Sequence, residues 1–205
     1  MGALRRVGVY GGSFDPIHIG HLAIAEEVRW ALDLDLVLFV PAARQPMKLD
    51  RDQTEAAHRL TMTELACSTN PAFQVTPLEM QRPPPSYTIT TLRTLHSQFG
   101  ATAELVFVLG ADAARELPRW NEAAAILDLA RLAVVERPGT QLDLQRLERD
   151  LPGITTRTHR IPGPHLAISS TALRHRLANG LPVRYQIPDP VVDYIAIHGL
   201  YRESP

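Results

Sequence analysis

Three uninterrupted apolar runs constrain the fold of this chain more than any other feature. Leu36-Val37-Leu38-Phe39-Val40 stops at Pro41, Leu105-Val106-Phe107-Val108-Leu109 closes at Gly110, and Leu132-Ala133-Val134-Val135 ends just before Pro138-Gly139. A strand with one wet face alternates apolar and polar residues, whereas one that is apolar throughout is buried on both faces. Such strands need helices on either side, and the intervening segments supply them. Leu22, Ala25, Val28 and Leu32 recur at helical spacing with Glu26, Glu27 and Arg29 between them. Further helices are predicted from about Thr54 to Ser68, Thr88 to Gln98, Ala123 to Leu129 and Leu142 to Leu151. Arg6-Val7-Gly8-Val9-Tyr10 and Phe73-Gln74-Val75 read as strands, and a peripheral strand is expected near Thr155 to Ile161. The tail from Asp189 to Gly199 places Val192, Ile195 and Ala196 on one face, with Gly199 as a C-cap.

Strands alternating with helices make a parallel sheet covered on both sides, and right-handed crossovers make it doubly wound. The expected fold is therefore α/β and Rossmann-like, with ligands at the carboxyl ends of the strands. No repeat, low-complexity tract or linker divides it. We expect a single domain over 1–205, with a C-terminal helical part over about 168–201.

Composition excludes several classes of function. The 21 Lys and Arg residues nearly balance the 22 Asp and Glu, so no polybasic footprint for nucleic acid or anionic membrane is expected. The lone Cys67 leaves neither a disulfide framework nor a thiolate zinc cluster, and its apolar helical setting marks it as an inert core residue. No leader is expected, Arg6 does not fit a myristoylation signal, and no window approaches the ~18 apolar residues of a membrane span. A cytoplasmic protein is the expectation, with room for a homo-oligomer.

The chemistry concentrates in Gly11-Gly12-Ser13-Phe14-Asp15-Pro16-Ile17-His18-Ile19-Gly20-His21, between the first strand and the first helix. Two glycines allow a sharp bend and a close backbone approach to a ligand. The helix N-terminus beyond them offers unpaired N–H groups and partial positive charge, an anion site. His18 and His21, three apart, face one side, where bound polyphosphate would hold them partly protonated. As metal ligands they lack a third partner, and capping without a ligand is the other alternative. The segment is neither G-x-G-x-x-G nor a P-loop, which argues against hydride transfer and P-loop ATPases.

Gly11 to Pro16 followed by His18-Ile19-Gly20-His21 resembles the signature of the nucleotidyltransferase superfamily, whose H-x-G-H element binds ATP phosphates. Within it the chain resembles bacterial nicotinate-nucleotide adenylyltransferases nearly end to end. The resemblance covers Pro41 to Lys48, Ser86-Tyr87-Thr88, Gly110-Ala111-Asp112 with Trp120, and Arg137-Pro138-Gly139. It continues through Ile168-Ser169-Ser170-Thr171 with Arg174, and Tyr194-Ile195 with His198-Gly199-Leu200-Tyr201. The chain departs from the family's usual pattern at Met47, where a histidine is common, and at Thr90, where an aspartate is common.

The resemblance implies adenylyl transfer from ATP to nicotinate mononucleotide, with Mg2+ arriving on ATP. It implies catalytic roles for His18, His21, Lys48 and Arg174. For ATP it implies Gly11, Gly12, Ser13, Phe14, Gly20, Gly110, Asp112, Ile168, Ser169 and Ser170 beside the histidines and Arg174. For nicotinate mononucleotide it implies Ser13, Lys48, Tyr87, Thr88, Trp120 and Asn121, with Trp120 stacking on the pyridine ring and main-chain N–H groups near Thr88 and Asn121 taking the carboxylate. On the residues alone, Trp120 is a core plug or a stacking surface, and Asp112 accepts ribose hydroxyls or positions a lysine or water, caps a helix starting at Ala113, or does both. Ser169 to Thr171 are a second phosphate cradle or an ordinary cap. The alternatives in function are a nicotinamide mononucleotide or phosphopantetheine acceptor, or a nucleotide sensor without catalysis.

Overall fold

In the computed structural model, which describes residues 6–43, 53–136 and 142–202, the apolar runs lie side by side. Among these residues strands β1 (Arg6–Gly12), β2 (Leu36–Pro41), β3 (Phe73–Val75), β4 (Glu104–Gly110), β5 (Ala130–Glu136) and β6 (Thr158–Pro162) form one sheet. All neighbours are parallel, in the order β3-β2-β1-β4-β5-β6. The order reverses between β1 and β4, where Tyr10 stands opposite Val108. That reversal opens a crevice at the carboxyl ends of the two strands, the expected ligand position in a doubly wound sheet.

Helices α1 (Ile19–Ala31), α2 (Ala56–Cys67), α8 (Ser170–Ala178) and α9 (Asp189–Ile197) supply the core on one face. Helices α3 (Thr88–Phe99), α4 (Ala111–Glu116), α5 (Ala123–Leu129), α6 (Leu144–Asp150) and α7 (Ile154–Arg157) supply it on the other. The strands divide between the two cores residue by residue: Leu36, Leu38 and Val40 face α3, while Val37 and Phe39 face α1 and α2. This is the two-residue alternation of a strand, with both faces apolar. Each such Leu or Phe, fully buried, contributes ~1.5–3 kcal/mol over exposure.

Two expectations about the periphery are corrected. Strand β6 begins at Thr158, because Ile154–Arg157 close a helical turn first. Glu148 fixes that turn by accepting the N–H groups of Gly153 (2.7 Å) and Thr155 (2.9 Å), which also holds its carboxyl below the usual range. Helix α9 buries Val191 and Ile195 and leaves Ala196 exposed, a rotation of the predicted face. Gly199 lies just past the helix with a φ of 61°, as expected of its C-cap position. Cys67 is buried, and desolvation pushes its thiol up to about 12, so it is inert.

Candidate active site

The turn after β1 is built differently from the bend that its glycines suggest. Gly11 and Gly12 continue the strand, and the left-handed residue is Phe14, with a φ of 46°. A Cβ on Gly12 would lie 2.8 Å from Phe14 Cε1, so Gly12 makes room for a neighbouring ring rather than for a bend. Phe14 is buried and packs edge-on against Tyr10 (5.5 Å between centroids) and His21 (5.2 Å).

His18 is the N-cap of α1, and His21 stands three residues into the helix. Their rings stack at 3.7 Å with 25° between planes. The main-chain N–H of His18 donates to His21 Nδ1 at 3.2 Å. A ring nitrogen that accepts this bond carries no proton, so we assign the proton of His21 to Nε2. At His21, therefore, Nε2 carries the N–H that can donate. Gly20 lets the pair lie this way, since a Cβ there would stand 3.0 Å from His18 Nδ1.

A cavity of about 930 Å³ opens at the crevice. Gly11, Gly12, Ser13, Phe14 and His21 line one side, with Ser170 and Arg174 close by; Tyr87, Thr88, Trp120 and Asn121 line the other, and Gly110 lies at the end of β4. Beside it a recess of about 90 Å³ is lined by His18, Gly20, His21 and Ile168 among others. The site residues expected from sequence thus converge, with three exceptions. Asp112 lies inside α4, whose N-cap is Gly110 and not Asp112, and its exposed carboxylate pairs with Arg115 at 2.9 Å. Ser169 caps α8 by accepting the N–H of Ala172 (3.2 Å). Lys48, together with Met47 and Arg137 to Gly139, lies outside the described residues.

Ser170 and Arg174 are engaged with protein as well as facing the cavity. Ser170 Oγ donates to the Pro16 carbonyl (2.9 Å) and Arg174 Nη1 to the Asp15 carbonyl (2.7 Å), pegging α8 to the turn after β1. Trp120, expected in a loop, follows a 3-10 turn over Leu117–Arg119. Its ring packs edge-on to Phe107 at 6.1 Å and also lines the cavity, so it is at once a core plug and an accessible aromatic face.

The sequence reading assigned no role to four polar residues near this cavity, the buried Asp15, Arg59 and Glu79 and the half-buried Tyr201. Asp15 accepts the Tyr201 hydroxyl on Oδ1 (2.6 Å) and the Thr54 N–H on Oδ2 (3.3 Å), bonds across 186 and 39 residues that no local pattern signals. Burial and the facing Asp15 raise the Tyr201 hydroxyl far above its usual range, so it acts only as a neutral donor. Arg59 had a visible signal: Arg59, Met62, Thr63, Ala66 and Cys67 are the buried stripe of α2, and a charge interrupts it. Glu79 lines the cavity and accepts from Thr91 Oγ1 (2.6 Å), which in turn accepts from Arg82 Nη2 (2.7 Å).

Burial raises the Glu79 carboxyl, against the lowering effect of the hydrogen bond from Thr91 and of the Arg82 charge. The folded protein therefore keeps this proton where the unfolded chain has released it. Stability falls as pH rises from the ordinary 4.5 through the raised value, and then levels off. Glu79→Gln still accepts the Thr91 hydroxyl and removes the charge. It is expected to flatten this decline and to be at least as stable as the parent at neutral pH, read from urea midpoints measured across that interval.

Three helices of some length, α1, α3 and α8, start at the cavity, so three partial positive charges converge on it. The site suits anionic, phosphate-bearing ligands. The cytidylyltransferase-like family model matches residues 9–176, and the chain belongs to that family of nucleotidyltransferases. Within the family it falls among the nicotinate-nucleotide adenylyltransferases. It is 54% identical over 196 residues to the "Probable nicotinate-nucleotide adenylyltransferase" of Roseiflexus sp. (strain RS-1), covering 96% of this chain and 98% of that one. To the protein of the same name from Herpetosiphon aurantiacus it is 47% identical, with 97% and 99% covered. The fold is similar to that of the Plasmodium falciparum nicotinic acid mononucleotide adenylyltransferase solved with NaAD, at a TM-score of 0.79 and 22% identity over 96% of this chain and 97% of that one.

Proposed function

We infer that the chain transfers the AMP group of ATP to the phosphate of nicotinate mononucleotide, giving nicotinate adenine dinucleotide and pyrophosphate. One observation carries the reading: the turn with His21 and the segments with Thr88 and Trp120 line a single cavity where three helix N-termini converge. The acceptor phosphate is ionised at neutral pH, so no base or covalent intermediate is required. One acceptor oxygen forms a bond to the α-phosphorus as the bond to the pyrophosphate oxygen breaks, and pyrophosphate leaves with the electron pair. Catalysis is positioning and charge stabilisation.

In this reading His18 and His21 hold the triphosphate, with His21 Nε2–H nearest the breaking bond. Ser170, Arg174 and Lys48 meet the pyrophosphate, and Gly11, Gly12, Gly20, Gly110 and Ile168 shape the ATP side. Asp112 takes ribose hydroxyls by exchanging its exposed pair with Arg115, a pair of a kind worth at most ~1 kcal/mol. Ser13 and Tyr87 border the acceptor, and the pyridine ring stacks on Trp120. Main-chain N–H groups at the start of α3 and near Asn121 take the nicotinate carboxylate. The whole chain acts as one nucleotidyltransferase unit, with α8 and α9 as its C-terminal helical part, and a cytoplasmic setting fits its use of ATP. Among the described residues no helix is long and apolar enough to cross a membrane.

Mg2+ accompanies ATP in this chemistry. Among the described residues the carboxylates that line the cavity are already engaged: Asp15 by Tyr201 and Thr54, Glu79 by Thr91, and Glu116 by Arg119 at 2.9 Å. This donor set fits an ion held by phosphate oxygens and water, which Mg2+ tolerates well. When bound, such an ion would supply charge neutralisation on the triphosphate.

Steady-state pyrophosphate release with alternative acceptors tests the reading. Two N–H donors satisfy a carboxylate, whereas a carboxamide turns its own N–H toward one of them, a mismatch of ~1–3 kcal/mol. The expected kcat/KM is therefore about tenfold or more higher with nicotinate than with nicotinamide mononucleotide. No release with either, or a preference for phosphopantetheine, overturns the assignment.

A further inference from the structure

We propose that Arg59, which touches no substrate in the reading above, is a positioning residue that orients the Ser13–Phe14 peptide for binding phosphate. The proposal rests on the assignment of the turn after β1 to phosphate binding. Arg59 is 1% exposed, and four main-chain carbonyls accept from its guanidinium: Thr54 from Nε (2.9 Å), Ser13 and Ala42 from Nη1 (2.8 and 2.7 Å), and Ala43 from Nη2 (2.9 Å). These carbonyls belong to three separate stretches of chain: the turn after β1, the exit of β2, and the residues leading into α2. Among the described residues no carboxylate is hydrogen-bonded to the guanidinium, and burial lowers its ionisation while the charge of nearby Asp15 supports it.

A buried cation is a costly way to fill space on a helix stripe, because an apolar residue of similar volume is often as stabilising. What a guanidinium adds is a planar fork with fixed donor directions. Its grip on the Ser13 carbonyl sets the plane of the following peptide. In a trans peptide the C=O and N–H point in opposite directions, so a carbonyl drawn toward buried Arg59 turns the Phe14 N–H away from it. Ser13 and Phe14 line the cavity and Arg59 does not, so the N–H is directed to the ligand side.

The same grip fixes Phe14 in its left-handed conformation, and the Phe14 ring abuts His21. One hidden side chain thus sets both a main-chain phosphate donor and the orientation of the imidazole. The Thr54 N–H bond to Asp15 ties the same two stretches a second time, which leaves the loop anchored when the fork is altered.

Arg59→Lys and Arg59→Met test the proposal, with Cys67→Ala on the same buried stripe as the control for lost packing. Both Arg59 variants are expected to lower kcat per folded molecule about 10- to 100-fold. The KM for ATP should stay within about threefold of the parent (roughly 0.7 kcal/mol), and lysine should fail to rescue the methionine variant. Cys67→Ala should keep the parental kcat. Full kcat in either Arg59 variant, with only a lowered melting temperature, overturns the proposal.

If neither variant folds, the parent protein carries the test through its Phe14 amide NMR resonance. This resonance is expected to shift on adding nicotinate mononucleotide alone or ATP alone, and no shift with either ligand overturns the proposal. A parent without adenylyltransferase activity would refute the function instead, so the two failures are distinguishable.

Discussion

His21→Ala is expected to lower kcat by 10²–10³, the effect of removing one preorganised donor, ~3–4 kcal/mol, from a developing phosphate charge. The magnitude follows from how the ring is held. The His18 N–H occupies Nδ1, the Phe14 ring abuts one edge and His18 stacks on the face, so Nε2–H has one direction in which to donate. The donor needs no reorganisation as charge develops. Alanine also deletes a cap interaction, with an expected stability loss of ~1 kcal/mol. His21→Gln separates the two effects. A glutamine three residues into a helix can take the N-cap N–H, as in a capping box, but cannot place a donor where Nε2 stands. The glutamine variant should recover stability in urea unfolding while kcat stays low. If glutamine restores turnover, the imidazole is only a cap.

Much of this architecture was legible in the sequence, because its signals are local. Strands buried on both faces declare themselves as unbroken apolar runs, and β2, β4 and β5 occupy interior positions of the sheet. The crevice followed from topology, since the first and fourth strands meet where the order reverses, and Gly11 and Gly110 lie there together. What escaped was long-range polar packing. Ser170 and Arg174 fit either a phosphate cradle or a cap with a solvated arginine by residue type, yet they also hold the carbonyls of Pro16 and Asp15, a duty visible only once α8 is docked. Asp112 fits an N-cap by type, but α4 starts two residues earlier than expected. Arg59 is the instructive case: its place on the apolar stripe of α2 was a signal that could have marked it as buried, while the carbonyls that explain it come from chain remote in sequence.

Two glycine substitutions should part in opposite ways, although both glycines belong to the matched motifs. Around Gly110 no atom lies within 4 Å of an added Cβ, and its backbone is ordinary for alanine, so Gly110→Ala should change stability by no more than about 0.5 kcal/mol. A methyl there projects into ligand space, and an increase in the KM for ATP of about tenfold, or ~1.4 kcal/mol, is expected. Unchanged KM would remove Gly110 from the ATP side. At Gly12 the added Cβ would lie 2.8, 2.9 and 3.2 Å from three carbons of the Phe14 ring. The ring cannot retreat freely, because Tyr10, Phe39 and His21 surround it. Overpacking of this kind costs ~1–3 kcal/mol, and any shift of Phe14 reaches His21, so Gly12→Ala should lose both stability and kcat. Adding Phe14→Leu to Gly12→Ala removes the clashing ring carbons, and the two changes should couple by ~1 kcal/mol or more in urea unfolding. Strict additivity would mean that Gly12 answers to the ligand and not to the ring beside it. A coupled pair whose turnover stays low would show that the ring holds the imidazole in register as well as filling the space above the glycine.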